Sequence, residues 1–224
     1  MDTIYKANPR AGKAASLPWW QVALLTSLLV LAARILFGIL WEYRWYFPAN
    51  FDQSFFLAGH MGDFVGLWKL AFYVHILSSP PVIVFAILLM FSGPQPSKHT
   101  FHSRLSKIQV LLVLGLVLPS GFVLALSAMA GPIAQSGFVA LSLLTAYTAI
   151  AATYWARRRS IKIHRRWATR FFVLLMSPLV LRFCSGLAIA AHADSDLFYQ
   201  VNAWTSWLAP LAALEIWLRI KQPF

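Results

Sequence analysis

The stretch LSKIQVLLVLGLVLPSGFVLALS, residues 105–127, decides the fold class. Leu and Val dominate it, and Lys107 near its start is its one charged residue. A helix rises 1.5 Å per residue, so about 20 such residues cross a hydrocarbon core of roughly 30 Å. Runs of the same kind recur on either side, near Trp19–Trp41, Lys69–Phe91, Ile133–Trp155, Trp167–Ala190 and Phe198–Leu218. Breaker residues separate them: Gly93-Pro94-Gln95-Pro96 after the second run, Gly131-Pro132 after the third, and Ala193-Asp194-Ser195-Asp196 before the sixth. The expected fold is an all-α integral membrane bundle of about six transmembrane helices. It forms a single domain over residues 19–218, with short tails at 1–18 and 219–224.

Composition agrees. The chain is 59% hydrophobic and 12% charged, with a mean hydropathy of +0.65, whereas soluble domains run about 45–50% apolar and about 25% charged. One cysteine excludes an internal disulfide framework and any zinc or iron–sulfur site built on cysteines alone. The first run has no small-residue cleavage site behind a short apolar stretch, so it reads as an anchor and not as a removed signal peptide. Prolines within the runs (Pro80, Pro81, Pro119, Pro178 and Pro210) should kink helices and free carbonyls.

The net charge of +12 sorts by side of the membrane. Lys6, Arg10 and Lys13 precede the first run; Lys98, Arg104 and Lys107 fall between the second and third. Arg157, Arg158, Arg159, Lys162, Arg165 and Arg166 fall between the fourth and fifth, and Arg219 and Lys221 close the chain. With six crossings all of these share one face, and the opposite face keeps Arg44 and Lys69 beside Glu42, Asp52, Asp63, Asp194 and Asp196. The positive-inside rule then places both termini in the cytoplasm and implies a multi-pass protein of the bacterial inner membrane. The basic collar needs no nucleic acid; anionic lipid at the cytoplasmic face suffices as its partner. The longest connection, Tyr43–Trp68, is exterior and aromatic-rich, and should lie against the outer leaflet.

Ionisable groups within a span are functional candidates, since each costs about 2.5–3.5 kcal/mol to insert. Arg34, His75 and Arg182 stand roughly 9–12 Å below the exterior ends of three different helices. Such a trio suits a cofactor-binding pocket for haem propionates, a quinone carbonyl or a lipid phosphate. The competing reading has the arginines reaching for headgroups and His75 serving as packing. At the cytoplasmic boundary His102, His164 and Glu215 share one depth and are weak candidates for a metal site or a proton relay. The plainer alternative there is a basic interfacial collar with Glu215 balancing a nearby arginine.

Several of these residues form a pattern that resembles a known family. His75, Ser92-Gly93-Pro94-Gln95, His102-Ser103-Arg104, His164-Arg165-Arg166-Trp167 with Arg170, Leu181-Arg182, Trp204-Thr205-Ser206-Trp207 and Glu215 occur in order over roughly residues 70–220. The pattern resembles a bacterial family of predicted membrane proteins known only as a domain of unknown function. The chain departs from it at Ser106-Lys107, where a glycine is usual, and at Ala168, where a methionine is usual. The resemblance implies a multi-helix membrane protein and supplies no substrate. Two functions compete: a redox-linked protein holding haem b or quinone through His75, Arg182 and Arg34, and a structural or accessory subunit of a larger membrane complex. A transporter ranks behind both, because no paired intramembrane carboxylates are present.

Overall fold

The computed structural model describes residues 18–92 and 99–221, and its regular elements there are helices. Lys6, Arg10, Lys13, Lys98 and the Gly93-Pro94-Gln95-Pro96 break lie outside the described residues. The helices run α1 (Trp19–Glu42), α2 (Phe55–Gly59), α3 (Gly66–Phe91), α4 (His99–Leu112), α5 (Leu118–Ala125), α6 (Pro132–Arg157), α7 (Ile161–Leu175), α8 (Ser177–Ala190) and α9 (Asp196–Lys221). A π-helical turn, Val113–Val117, joins α4 to α5 into one long rod. Five segments have the length and apolarity to cross a membrane: Trp19–Trp45, Gly66–Phe91, Thr100–Ala125, Pro132–Arg157 and Ile161–Ala190.

The sixth expected span does not meet that standard. α9 is 26 residues long, enough for about 39 Å of helix, but Gln200, Asn202, Thr205, Ser206 and Glu215 dilute its apolar character. The reason lies in its packing. α9 lies against α6, α7 and α8, and Asn202 and Ser206 are turned inward and buried. A helix that faces protein on several sides can carry polar groups that a lipid-facing helix cannot.

Prolines act in two ways. Pro119 follows the π-helical turn, and Pro178 opens α8 where the fifth span breaks at Met176. Pro80, Pro81 and Pro210 instead sit inside uninterrupted helices. Proline has no N–H for the carbonyl four residues back, so Pro80 leaves the Ile76 carbonyl open. The Tyr43 hydroxyl, at the end of α1, donates to that carbonyl. Between the third and fourth spans, Gly131 at φ +80° makes a turn that a side chain would strain, and α6 starts at the next residue, Pro132.

Two apolar clusters organise the interior. One joins α3, the π-helical turn, α6 and α7 through Val82, Ala86, Val113, Ala149, Phe171 and Leu175. The other caps the exterior end of α3 with Tyr46, Leu57, Phe64, Trp68 and Phe72. The exterior connection was expected to lie against lipid. Phe55 and Phe47 do face outward, but Tyr46 and Leu57 turn in and pack on α3. The ring of Trp68 stacks on Phe72 at 5.6 Å, within the 4.5–7 Å range of favourable aromatic pairs. α1 stands at the margin, has no buried residue and packs against α8.

Candidate functional site

At the end of the bundle that carries His102, His164 and Glu215, the charged and imidazole groups tie helices together in pairs. His102 Nδ1 lies 2.6 Å from Ser92 Oγ, joining α4 to the end of α3. His164 Nδ1 lies 2.9 Å from the Ala152 carbonyl, joining α7 to α6. Arg170 donates twice to the Glu215 carboxylate, at 2.6 and 2.9 Å, joining α7 to α9, and its guanidinium stands over the Trp167 ring at 4.8 Å. The weak metal candidates His102, His164 and Glu215 therefore serve three different helix contacts. Among the described residues no group of three or more His, Cys, Asp or Glu gathers to hold a metal ion. Glu215 balances Arg170, as the plainer reading of that boundary had it.

His75 lies in the N-terminal half of α3 and reaches across to the rod formed by α4 and α5. Its Nδ1 is 3.1 Å from the Val117 carbonyl and 3.2 Å from Ser120 Oγ. Val117 ends the π-helical turn, a feature that widens a helix by one residue and recurs at functional sites. The ring approaches so closely that a Cβ on Gly121 would stand 2.9 Å from Cε1 and 3.2 Å from Nδ1. Gly121 is thus the residue that lets the imidazole lie flat against α5. A carbonyl accepts and never donates, so the Nδ1–Val117 bond puts the ring proton on Nδ1. Nε2 is left with its lone pair, the arrangement in which histidines ligate metals or accept hydrogen bonds. Ser79 and Ser78 donate back to the His75 and Val74 carbonyls and hold this part of α3.

The two arginines stand elsewhere. Arg34 on α1 and Arg182 on α8 are exposed, on helices that pack together. Among the described residues neither makes a hydrogen bond, an ion pair or a ring contact, and no hydrogen bond joins either to His75. The charge of Arg182 reaches the hydroxyls of Tyr43, Tyr46 and Tyr199. Burial pushes the Tyr46 hydroxyl up from its ordinary 10.0, and Arg182 pulls against that rise. The sequence trio is therefore divided between His75 on the α5 side and Arg34 with Arg182 on the α8 side.

A group that sequence reasoning undervalued is His60. It is buried in the cap over the N-terminal end of α3, with Nδ1 2.9 Å from the Phe56 carbonyl and Nε2 3.2 Å from the Ser127 carbonyl. Both nitrogens thus face carbonyl oxygens, and a neutral ring donates to one of the two. The one sequence sign was its position four residues after Phe56, whose ring it meets at 4.6 Å. Gly121 and the π-helical turn had only the crowding of Gly115, Pro119 and Gly121 to announce them.

A family profile described as predicted membrane protein (DUF2306) matches residues 72–218. The chain belongs to that family. Its match starts just before His75 and ends just after Glu215, so it takes in the π-helical turn, the ties made by His102 and His164, and Arg182, and it leaves out α1 with Arg34. Membership in DUF2306 makes this a multi-pass membrane protein and names no activity. No curated protein and no solved structure matches the chain.

Proposed function

We propose that this DUF2306 protein is a redox-linked membrane protein that holds a quinone, in its reduced quinol form, against His75 in the exterior half of the bundle. The observation that carries this reading is the bond from His75 Nδ1 to the Val117 carbonyl, 3.1 Å long. It presets the tautomer and leaves Nε2 to accept a hydrogen bond from a quinol hydroxyl. A lateral groove of about 280 Å³ between α3 and the rod is lined by Val74, Leu77, Ser78, Pro81, Leu112 and Leu116. Ligand sites run about 300–1,000 Å³, so this groove suits a flat ring or part of an isoprenoid tail better than a haem. Haem b through His75 alone is the weaker form of the same reading, because both nitrogens of His60 face carbonyl oxygens within the cap.

Titration of the detergent-purified chain with a short-chain quinol kept reduced under anaerobic conditions, read by isothermal calorimetry, tests this. Saturable binding near one equivalent that falls at least roughly tenfold in His75→Phe is expected, an effect of the size a buried hydrogen bond supplies. Equal binding by both proteins, or none by either, would overturn it.

We further propose that α9 crosses the membrane as a sixth helix, which puts both termini in the cytoplasm of a bacterial inner membrane. Its 26-residue length and its packing against α6, α7 and α8 support this. A second functional reading, accessory subunit of a larger complex, rests on α1. With no buried residue and contact to α8, that helix offers a partner subunit a complete apolar flank. Co-purification of a stoichiometric partner that is lost when residues 1–42 are deleted would favour it; a chain that behaves identically without them would exclude it.

A further inference from the structure

The family pattern contains several polar side chains, and the bundle employs nearly all of them internally. His75, His102, His164, Arg170, Trp204 and Glu215 each bond to a neighbouring helix. Arg182 is the exception. It lies about 12 Å below the exterior end of α8, and no described residue accepts from its guanidinium. A cation at that depth without an anion is costly, and among the described residues no Asp or Glu forms an ion pair with it.

The neighbourhood consists of donors. Asn202 on α9 donates to the Leu181 carbonyl at 3.0 Å and to Ser185 Oγ at 3.1 Å. These two bonds pin α9 to α8 on either side of Arg182. Tyr199 stands one turn from Asn202 on the same face of α9, its ring against Phe138 at 6.1 Å, and its hydroxyl has no hydrogen-bond partner among the described residues. Arg34 brings a second charge at the same depth on α1, the other helix that packs on this part of the bundle. The charge of Arg182 acts on the hydroxyls of Tyr43 and Tyr46, just past the end of α1, and of Tyr199 on α9. Guanidinium pairs with phosphate oxygens in a bidentate manner, and a phosphate has further oxygens for a tyrosine hydroxyl.

We propose that Arg182, Arg34 and the Tyr199 hydroxyl form a binding site for a phosphate group in the exterior half of the bundle, where α1 and α9 both pack on α8. The site is separate from the quinone reading, since His75 bonds to the rod formed by α4 and α5 and shares no hydrogen bond with these donors. The phosphate is either that of an outer-leaflet lipid or a free anion.

The test uses the full chain in mild detergent. Native mass spectrometry counts phospholipid retained after repeated washing, and a thermal melt with and without inorganic phosphate reports the free anion. Loss of a charge-assisted bond is worth more than a factor of ten in affinity, so Arg182→Gln should retain roughly tenfold less phospholipid than the parent. Tyr199→Phe, which keeps the charge and the ring, should retain several-fold less and guards against a misfolded arginine variant. Arg158→Gln, which alters a cytoplasmic arginine over Tyr154, and His75→Phe should both retain the parent amount. A melting temperature that inorganic phosphate raises in the parent and not in Arg182→Gln assigns the site to a free anion. Equal retention by the parent, Arg182→Gln and Tyr199→Phe, with no response to inorganic phosphate, overturns the proposal.

Discussion

Replacing Gly121 by alanine probes the contact on which the account of His75 depends. The new methyl carbon would stand 2.9 Å from Cε1 and 3.2 Å from Nδ1 of His75, where carbon atoms pack at about 3.5–4.0 Å. The imidazole has to retreat by roughly 0.6 Å. That stretches a 3.1 Å bond to the Val117 carbonyl past the useful range of about 3.2 Å. Losing one such bond costs about 1 kcal/mol, and the overpacked contact adds at least about 1 kcal/mol more. A total near 2 kcal/mol lowers the melting temperature of a chain this size by roughly 4–8 °C. Thermal melts in detergent read it directly. Combining Gly121→Ala with His75→Ala removes the collision, so the pair should be less damaging than the sum of the singles by about 1 kcal/mol. A Gly121→Ala protein that melts with the parent, or a strictly additive double variant, would refute the close approach and with it the fixed tautomer.

Three further outcomes follow from the same contacts. Tyr43→Phe removes the donor to the carbonyl that Pro80 leaves open and should cost about 1 kcal/mol by thermal melt; in a Pro80→Ala background, where the backbone N–H is restored, the same change should cost markedly less. Glu215→Gln breaks the paired bonds to Arg170, and because both side chains are partly exposed the loss should stay near 1 kcal/mol or below and shrink in high salt. Alkaline phosphatase inserted in the exterior connection near Asp52 should be active, while the same enzyme fused after Phe224 should be silent; activity at both places would show that α9 does not cross.

The apolar runs made the five lipid-facing spans legible, because a helix in contact with hydrocarbon has to announce itself in composition. α9 was legible as a helix of the right length but not as an apolar one, since Asn202 and Ser206 are buried against protein and follow a different rule. His102, His164 and Glu215 stood out in the sequence as polar residues needing an explanation. Their spacing could not reveal that each bonds to a different helix, because partners such as Ser92 and the Ala152 carbonyl depend on helix rotation. The division of Arg34, His75 and Arg182 was hidden for the same reason: counting residues gives depth along a helix, not the face a side chain occupies. The π-helical turn at Val113–Val117 shifts that face by one residue partway along a span, and no hydropathy pattern encodes it. The exterior cap around His60 and Trp68 was visible as aromatic composition, while its inward packing required the long-range contact to Ser127.

The central claim is that His75 presents a free Nε2 to a quinol hydroxyl. Its most direct test is extraction of lipophilic quinone from the chain purified in mild detergent, paired with an oxidised-minus-reduced absorption spectrum of the same sample. The account predicts near-stoichiometric quinone that His75→Phe loses while the fold is kept, and no Soret band. Stoichiometric haem bands, or a parent protein that carries no more quinone than His75→Phe, would contradict it.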